Sequence, residues 1–245
     1  MATFSETGHA KNVDNFSSLI ANATSMGEKY NPTNPSIALT ALSLKEKAAR
    51  AAVDAVNVAM PAYAKACEER DSSFSEMDGL VTRVYNGLCA SSSSDATDAT
   101  AASIVRKIRG TRSSSSKAAS KAAAAASAPK SVSVSQRSFD SQVDNFDRLV
   151  EFLAATPEYA PNEPELKLTA LRTVAANLRT KNNACNAAKI SLDSARDARN
   201  AELYEPTTGL VDVALTVKAY VKSLYGTASP EYKRVGAIEF RKAKL

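Results

Sequence analysis

Tryptophan is absent, and aromatic residues make up 6% of this 245-residue chain. Few large rings are therefore at hand to wall a ligand cavity. The 44% apolar content is led by alanine, which suits thin, closely packed helix-on-helix contacts. Eight glycines and nine prolines leave room for long uninterrupted elements. The composition reads as all-α, soluble and globular.

Cysteine is scarce. Cys67, Cys89 and Cys185 are odd in number and show no paired spacing, which argues against a disulfide framework or a metal site. They read as small apolar residues in a reducing compartment. The N-terminus shows no basic and apolar leader, and no stretch approaches a membrane span. The expectation is a cytoplasmic chain with no transmembrane segment.

Acidic residues are missing from Asp98 to Asp140, where eight basic residues occur: Arg106, Lys107, Arg109, Arg112, Lys117, Lys121, Lys130 and Arg137. The net charge of +5 thus belongs to the centre, with 23 basic against 26 acidic residues elsewhere.

What is present is a repeat. Val13-Asp14-Asn15-Phe16 with Leu19 returns as Val143-Asp144-Asn145-Phe146 with Leu149. Tyr30, Pro32 and Pro35 return as Tyr159, Pro161 and Pro164, and Gly79-Leu80-Val81 as Gly209-Leu210-Val211. The constant offset predicts a tandem duplication of one helical module. The modules span 1–111, with an insertion near 91–100, and 135–245. Residues 112–134, rich in Ser, Ala and Lys, have no apolar face and read as a flexible basic linker.

Each module reads as three helices. The first covers about Asn12 to Met26, and again Asp140 to Ala155. A paired-proline corner follows, rigid because proline restricts itself and the residue before it. The long second helix covers about Ser36 to Ser73, and again Glu165 to Leu203. Its seam runs Leu171, Val174, Leu178, Lys181, Cys185, Ala188, Leu192, Ala195, Arg199 in a 3-4 rhythm. The first copy keeps the register from Leu42 through Ala49, Val56 and Tyr63 to Arg70, with Pro61 predicted to kink it. The third helix follows Gly209 and stops at Gly226. In the first copy it should start near Leu80, break at Ser91–Ser94, resume at Ile104 and stop at Gly110. The expected fold is an elongated bundle with approximate two-fold symmetry, each module folding its outer helices back along its own long one. The second module, lacking the proline and the insertion, should be the more stable and fold alone.

Candidate chemistry is sparse. His9, the one histidine, aligns with Phe139 and reads as a packed ring. Gly110-Thr111-Arg112 through Lys117 lacks the second glycine and the preceding strand of a phosphate loop. Ser114 and Lys117 have S-x-x-K spacing without a rigid helix start. Carboxylate pairs such as Glu68 and Glu69 have nothing nearby to desolvate them. Arg70 and Arg199 occupy the same seam position and read as stems covering a bundle end with heads in water. An enzyme would have to work with Arg70, Arg199 and Tyr204 around a cleft.

The corner Tyr159-Ala160-Pro161-Asn162-Glu163-Pro164, then Leu168-Thr169-Ala170-Leu171, Ala198-Arg199-Asn200 and Thr208-Gly209-Leu210-Val211, resembles a family of bacterial two-module all-helical proteins of unknown function. Ser229-Pro230-Glu231-Tyr232-Lys233 and Arg106-Lys107-Ile108-Arg109-Gly110 belong to the same likeness. The resemblance implies the two-module helical fold. It implies no activity, cofactor or catalytic residue.

The leading expectation is therefore a non-enzymatic structural or scaffolding protein, without cofactor, metal or small-molecule ligand, that associates through helices with a protein partner or with itself. The alternative is a nucleic-acid-associated protein whose polyanion contacts are Arg106, Lys107, Arg109, Arg112, Lys117 and Lys121, acting by sequence-independent counterion release.

Overall fold

In a computed structural model of the chain, residues 7–110 and 138–242 are described, and every regular element among them is helical. In order these are α1 (Thr7–Ser25), α2 (Leu39–Cys89), α3 (Asp95–Arg109), α4 (Phe139–Ala154), α5 (Leu168–Tyr204), α6 (Leu210–Tyr225) and α7 (Pro230–Gly236). Among the described residues none of the helices is long and apolar enough to cross a membrane. The predicted linker over 112–134 lies outside the described residues.

The two proline corners are built alike. Pro35–Ile37 and Pro164–Leu166 each form one turn of 3-10 helix, so the α-helices begin at Leu39 and Leu168, three residues later than the sequence suggests. Ala38 and Lys167 are extended, which turns the chain between the two helical pieces. The Tyr30 hydroxyl donates to the Ile37 carbonyl at 2.8 Å, and the Tyr159 hydroxyl to the Leu166 carbonyl at 2.9 Å. Each tyrosine thus satisfies a carbonyl that the turn would leave unpaired.

The predicted seam faces inward on both long helices: none of its residues is exposed. Pro61 lies inside α2 without ending it. The proline is on the exposed side, where water can serve the carbonyl that loses its amide partner.

One boundary differs from the sequence reading. α2 does not stop near Ser73 but continues to Cys89, absorbing the start of the expected third helix. The second copy does break, and Pro206 supplies the reason: it sits where the first copy has Glu76. After it, Thr207 adopts φ 71°, its N–H donates to Asp212 Oδ2 at 3.0 Å, and Gly209 caps α6. Gly79, the equivalent glycine, is interior to α2. In the first copy the real break comes at Ser91–Ser94, as the spacing predicts. α3 then starts at Asp95, with the Ser94 hydroxyl accepting from the Thr97 amide at 3.2 Å, and Gly110 ends it at φ 63°.

Two compact units are present, Met1–Tyr63 with Ala188–Leu245, and Ala64–Ala187. Their borders fall inside α2 and α5 and not at the module limits read from the sequence. The core of the first unit joins Phe16 and Leu19 of α1 and Leu42 of α2 to Leu203, Leu210 and Val217. The core of the second joins Phe74, Val81 and Leu88 of α2 and Ile108 of α3 to Phe146, Leu149 and Leu178. α1 packs on α6 and α7, and α3 on α4. The first helix of each sequence module therefore packs on the third helix of the other. Residues 135–245 contribute side chains to both cores.

Candidate functional site

In the second unit, α2 and α5 bring together side chains distant in sequence. The Cys67 and Cys185 sulfurs, which show no paired spacing in the sequence, are 2.7 Å apart. Close by, Lys181 Nζ donates to Glu69 Oε2 at 2.8 Å, and this contact holds the Glu69 carboxyl below its usual range. Arg70 lies over the Phe139 ring, 3.8 Å from its centre, and pairs with Asp71 at 3.0 Å.

Farther along the same helices is a groove of about 1160 Å³. Met77, Leu80, Val174 and Leu178 give it an apolar lining, and the Arg83–Glu165 ion pair, 2.6 Å long, lies at its edge. It offers shape and apolar surface, with the hydroxyls of Ser73, Thr82 and Thr173 also in its lining.

The first unit holds a polar cluster around the one histidine. His9 is 4% exposed, and its Nδ1 is 2.7 Å from the Tyr204 hydroxyl. Asn12 Nδ2 donates to that hydroxyl at 3.3 Å and to the Arg241 carbonyl at 2.8 Å, while its Oδ1 accepts from the Arg241 amide at 3.1 Å. Asn15 Nδ2 donates to the Glu239 carbonyl at 2.7 Å. The asparagines on α1 thus pin the segment after α7, which accounts for the buried amide side chain of Asn12 on an otherwise apolar helix face. Arg199 is buried and donates to Asn200 Oδ1 at 2.9 Å. Its head is not in water, contrary to expectation, because the stem enters the packed seam. Arg199 and Tyr204 belong to this unit and Arg70 to the other.

Of the six predicted polyanion contacts, Arg106, Lys107 and Arg109 are described and lie in the last turn of α3. Arg106 and Lys107 are exposed. Arg109 turns back to the Thr82 hydroxyl and to Asp78, 4.0 Å away. Arg112, Lys117 and Lys121, together with Ser114, lie outside the described residues. Among the described residues no group of three His, Cys, Asp or Glu is placed to hold a metal ion.

A feature the sequence reading missed runs along the outside of α2. Leu44, Ala48, Ala51, Ala55, Val58 and Ala62 follow 4-3-4-3-4 spacing and are all exposed, Leu44 at 67% and Val58 at 73%. The spacing was there to be found. It was hidden because α2 carries apolar residues on two faces, and periodicity alone does not say which face is inside.

Comparison of the chain with protein-family models, with curated proteins and with solved structures gives no match.

Proposed function

We propose that this protein is a non-enzymatic helical scaffold that associates, helix to helix, with a second copy of itself. The observation that carries the reading is the outer row of α2. Its alternating spacing of four and three residues is that of a coiled-coil seam. The same positions in the second sequence copy are Thr173, Asn177, Thr180, Ala184, Ala187 and Ser191, mostly polar. A helix in this setting therefore has no need of an apolar outer face.

The row is also complementary to itself. In an antiparallel pair of copies Leu44 meets Ala62, Val58 meets Ala48, and the smallest residues, Ala51 and Ala55, meet at the centre. Large against small is what close helix packing requires, and a two-fold contact of this kind closes on itself as a dimer. The row spans about 27 Å, a modest interface, so association should be reversible and on the order of micromolar.

Sedimentation equilibrium across a hundredfold concentration range tests this. The wild-type chain should pass from monomer to dimer. Leu44→Glu with Val58→Glu should stay monomeric with an unchanged helical spectrum, since both side chains are exposed. A wild-type chain that remains monomeric throughout would falsify the reading.

The second reading, polyanion binding, is favoured by the stretch without acid from Asp98 to Asp140 and by the exposed Arg106 and Lys107. It predicts sequence-tolerant retention on nucleic acid that falls steeply with salt. Deletion of residues 112–134 should abolish that retention. Unchanged retention after the deletion rules the basic segment out.

A further inference from the structure

We propose that Cys67 and Cys185 are a disulfide-forming pair, closed by exchange with a low-molecular-weight disulfide. The inference stands on geometry in the second unit and is independent of the outer row of α2. The two residues are 118 apart in sequence and reach each other only because α2 and α5 run side by side there in opposite directions. Glu69 follows Cys67 and Lys181 precedes Cys185, and their 2.8 Å contact pins that antiparallel register beside the sulfurs. The separation of 2.7 Å is short of a covalent S–S bond, about 2.05 Å, by well under an ångström.

The two thiols are unlike, and the difference sets the order of attack. Cys67 is half-buried, whereas Cys185 is 2% exposed. Burial pushes the Cys185 thiol up, and its hydrogen bond with Cys67 adds to this, while the Arg70 charge opposes both. Cys67, as thiolate, attacks one sulfur of the small disulfide. That S–S bond breaks, a mixed disulfide forms on Cys67, and the first small thiolate leaves and takes up a proton. Cys185, losing its own proton, then attacks the Cys67 sulfur and expels the second small thiolate, which is protonated in turn. Two protein thiols have lost two electrons and two protons, and the reagent has become two thiols.

Cys89 is exposed and is not the third member of this site. Replacing it removes adducts and interchain bonds that would obscure the result. The product is a covalent tie between α2 and α5 inside one unit, where none exists in the reduced chain. Exchange with cellular thiols would reverse it.

The experiment uses the full chain with Cys89→Ser, reduced, freed of reductant, and incubated with oxidised glutathione. Intact mass should fall by about 2 Da as both thiols disappear together, and proteolysis without reductant should yield one linked peptide pair holding Cys67 and Cys185. Closing so long a loop should raise the thermal midpoint by on the order of 10 °C, reversed by dithiothreitol. Adding Cys185→Ser should arrest the chain as a glutathione adduct on Cys67. A stable adduct with Cys185 present, retention of both thiols, or bonds only between chains would overturn the proposal. The wild-type chain, peptide-mapped in the same way, carries the test should either variant fail to fold.

Discussion

The guanidinium of Arg70 and the ring of Phe139 are stacked, 3.8 Å from cation to ring centre. Phe74 meets the same ring in a T-shaped contact, 4.7 Å between centroids. Phe139 is the first residue of α4, with Ser138 capping the helix just before it, so the contact fixes where α4 begins relative to α2. With the Arg70 side chain only 16% exposed, the attraction is weakly screened. A double-mutant cycle of Arg70→Ala and Phe139→Ala, read by urea unfolding, should give a coupling of about 1 kcal/mol. Strict additivity would show that the stack contributes no energy of its own.

The two equivalent glycines should respond in opposite directions. A Cβ at Gly209 would lie 2.6 Å from the Glu205 backbone nitrogen and 2.7 Å from its oxygen, whereas one at Gly79 meets nothing within 4 Å. Gly209→Ala should cost roughly 1–3 kcal/mol by overpacking. Gly79→Ala, in an exposed helix interior, should stabilise by about 0.5–1 kcal/mol. Thermal melts of the two variants decide it, and a shared sign would contradict the assignment of one glycine to a cap and the other to a helix.

The corner tyrosines should make the fold sensitive to alkali. Burial pushes Tyr30 and Tyr159 up to about 12, with Tyr220 and Glu163 respectively adding to the effect. Unfolded tyrosines release their protons near 10. Between those values the folded chain holds more protons than the unfolded one. Stability present below pH 10 is therefore lost as pH rises toward 12, by on the order of 2 kcal/mol per tyrosine. Tyr30→Phe with Tyr159→Phe should be less stable than wild type at pH 9, by about 1 kcal/mol for each hydrogen bond removed. The gap should narrow by pH 11.5. Urea midpoints that stay parallel across this range would show that the hydroxyls do not titrate late.

Residues 135–245 made alone should not fold cooperatively. That fragment keeps Phe146 and Leu178 but lacks Phe74, Val81 and Leu88, and keeps Leu203 and Val217 but lacks Phe16 and Leu42. Half of each core would face water, at a cost of about 25 cal/mol for every Å² of apolar surface left uncovered. Circular dichroism should show a broad, non-cooperative melt, sharpened by adding residues 1–134 as a second fragment. A sharp melt of 135–245 alone would mean that its helices find another core.

Local features were legible in order of how little they depend on distant chain. The corners at Tyr30 and Tyr159 could be read because proline acts on itself and its neighbour. The stop at Gly110 and the break at Ser91–Ser94 were likewise local. The end of α2 was misplaced because Gly79-Leu80-Val81 and Gly209-Leu210-Val211 look the same. The deciding residue was Pro206, three positions before Gly209.

That the chain is helical, where its apolar rows lie and how its corners turn are legible in the residues, since these follow from periodicity and from backbone restrictions within a few residues. Tertiary packing settles which apolar row of α2 is covered, with Ala49 and Val56 inside and Leu44 and Val58 left outside. It alone set Cys67 against Cys185 and packed α1 on α6 and α3 on α4. Those outcomes depend on register between helices far apart in the chain. An alanine-rich surface accepts several registers at nearly equal local energy, so the choice is made by the side chains that meet across the interface.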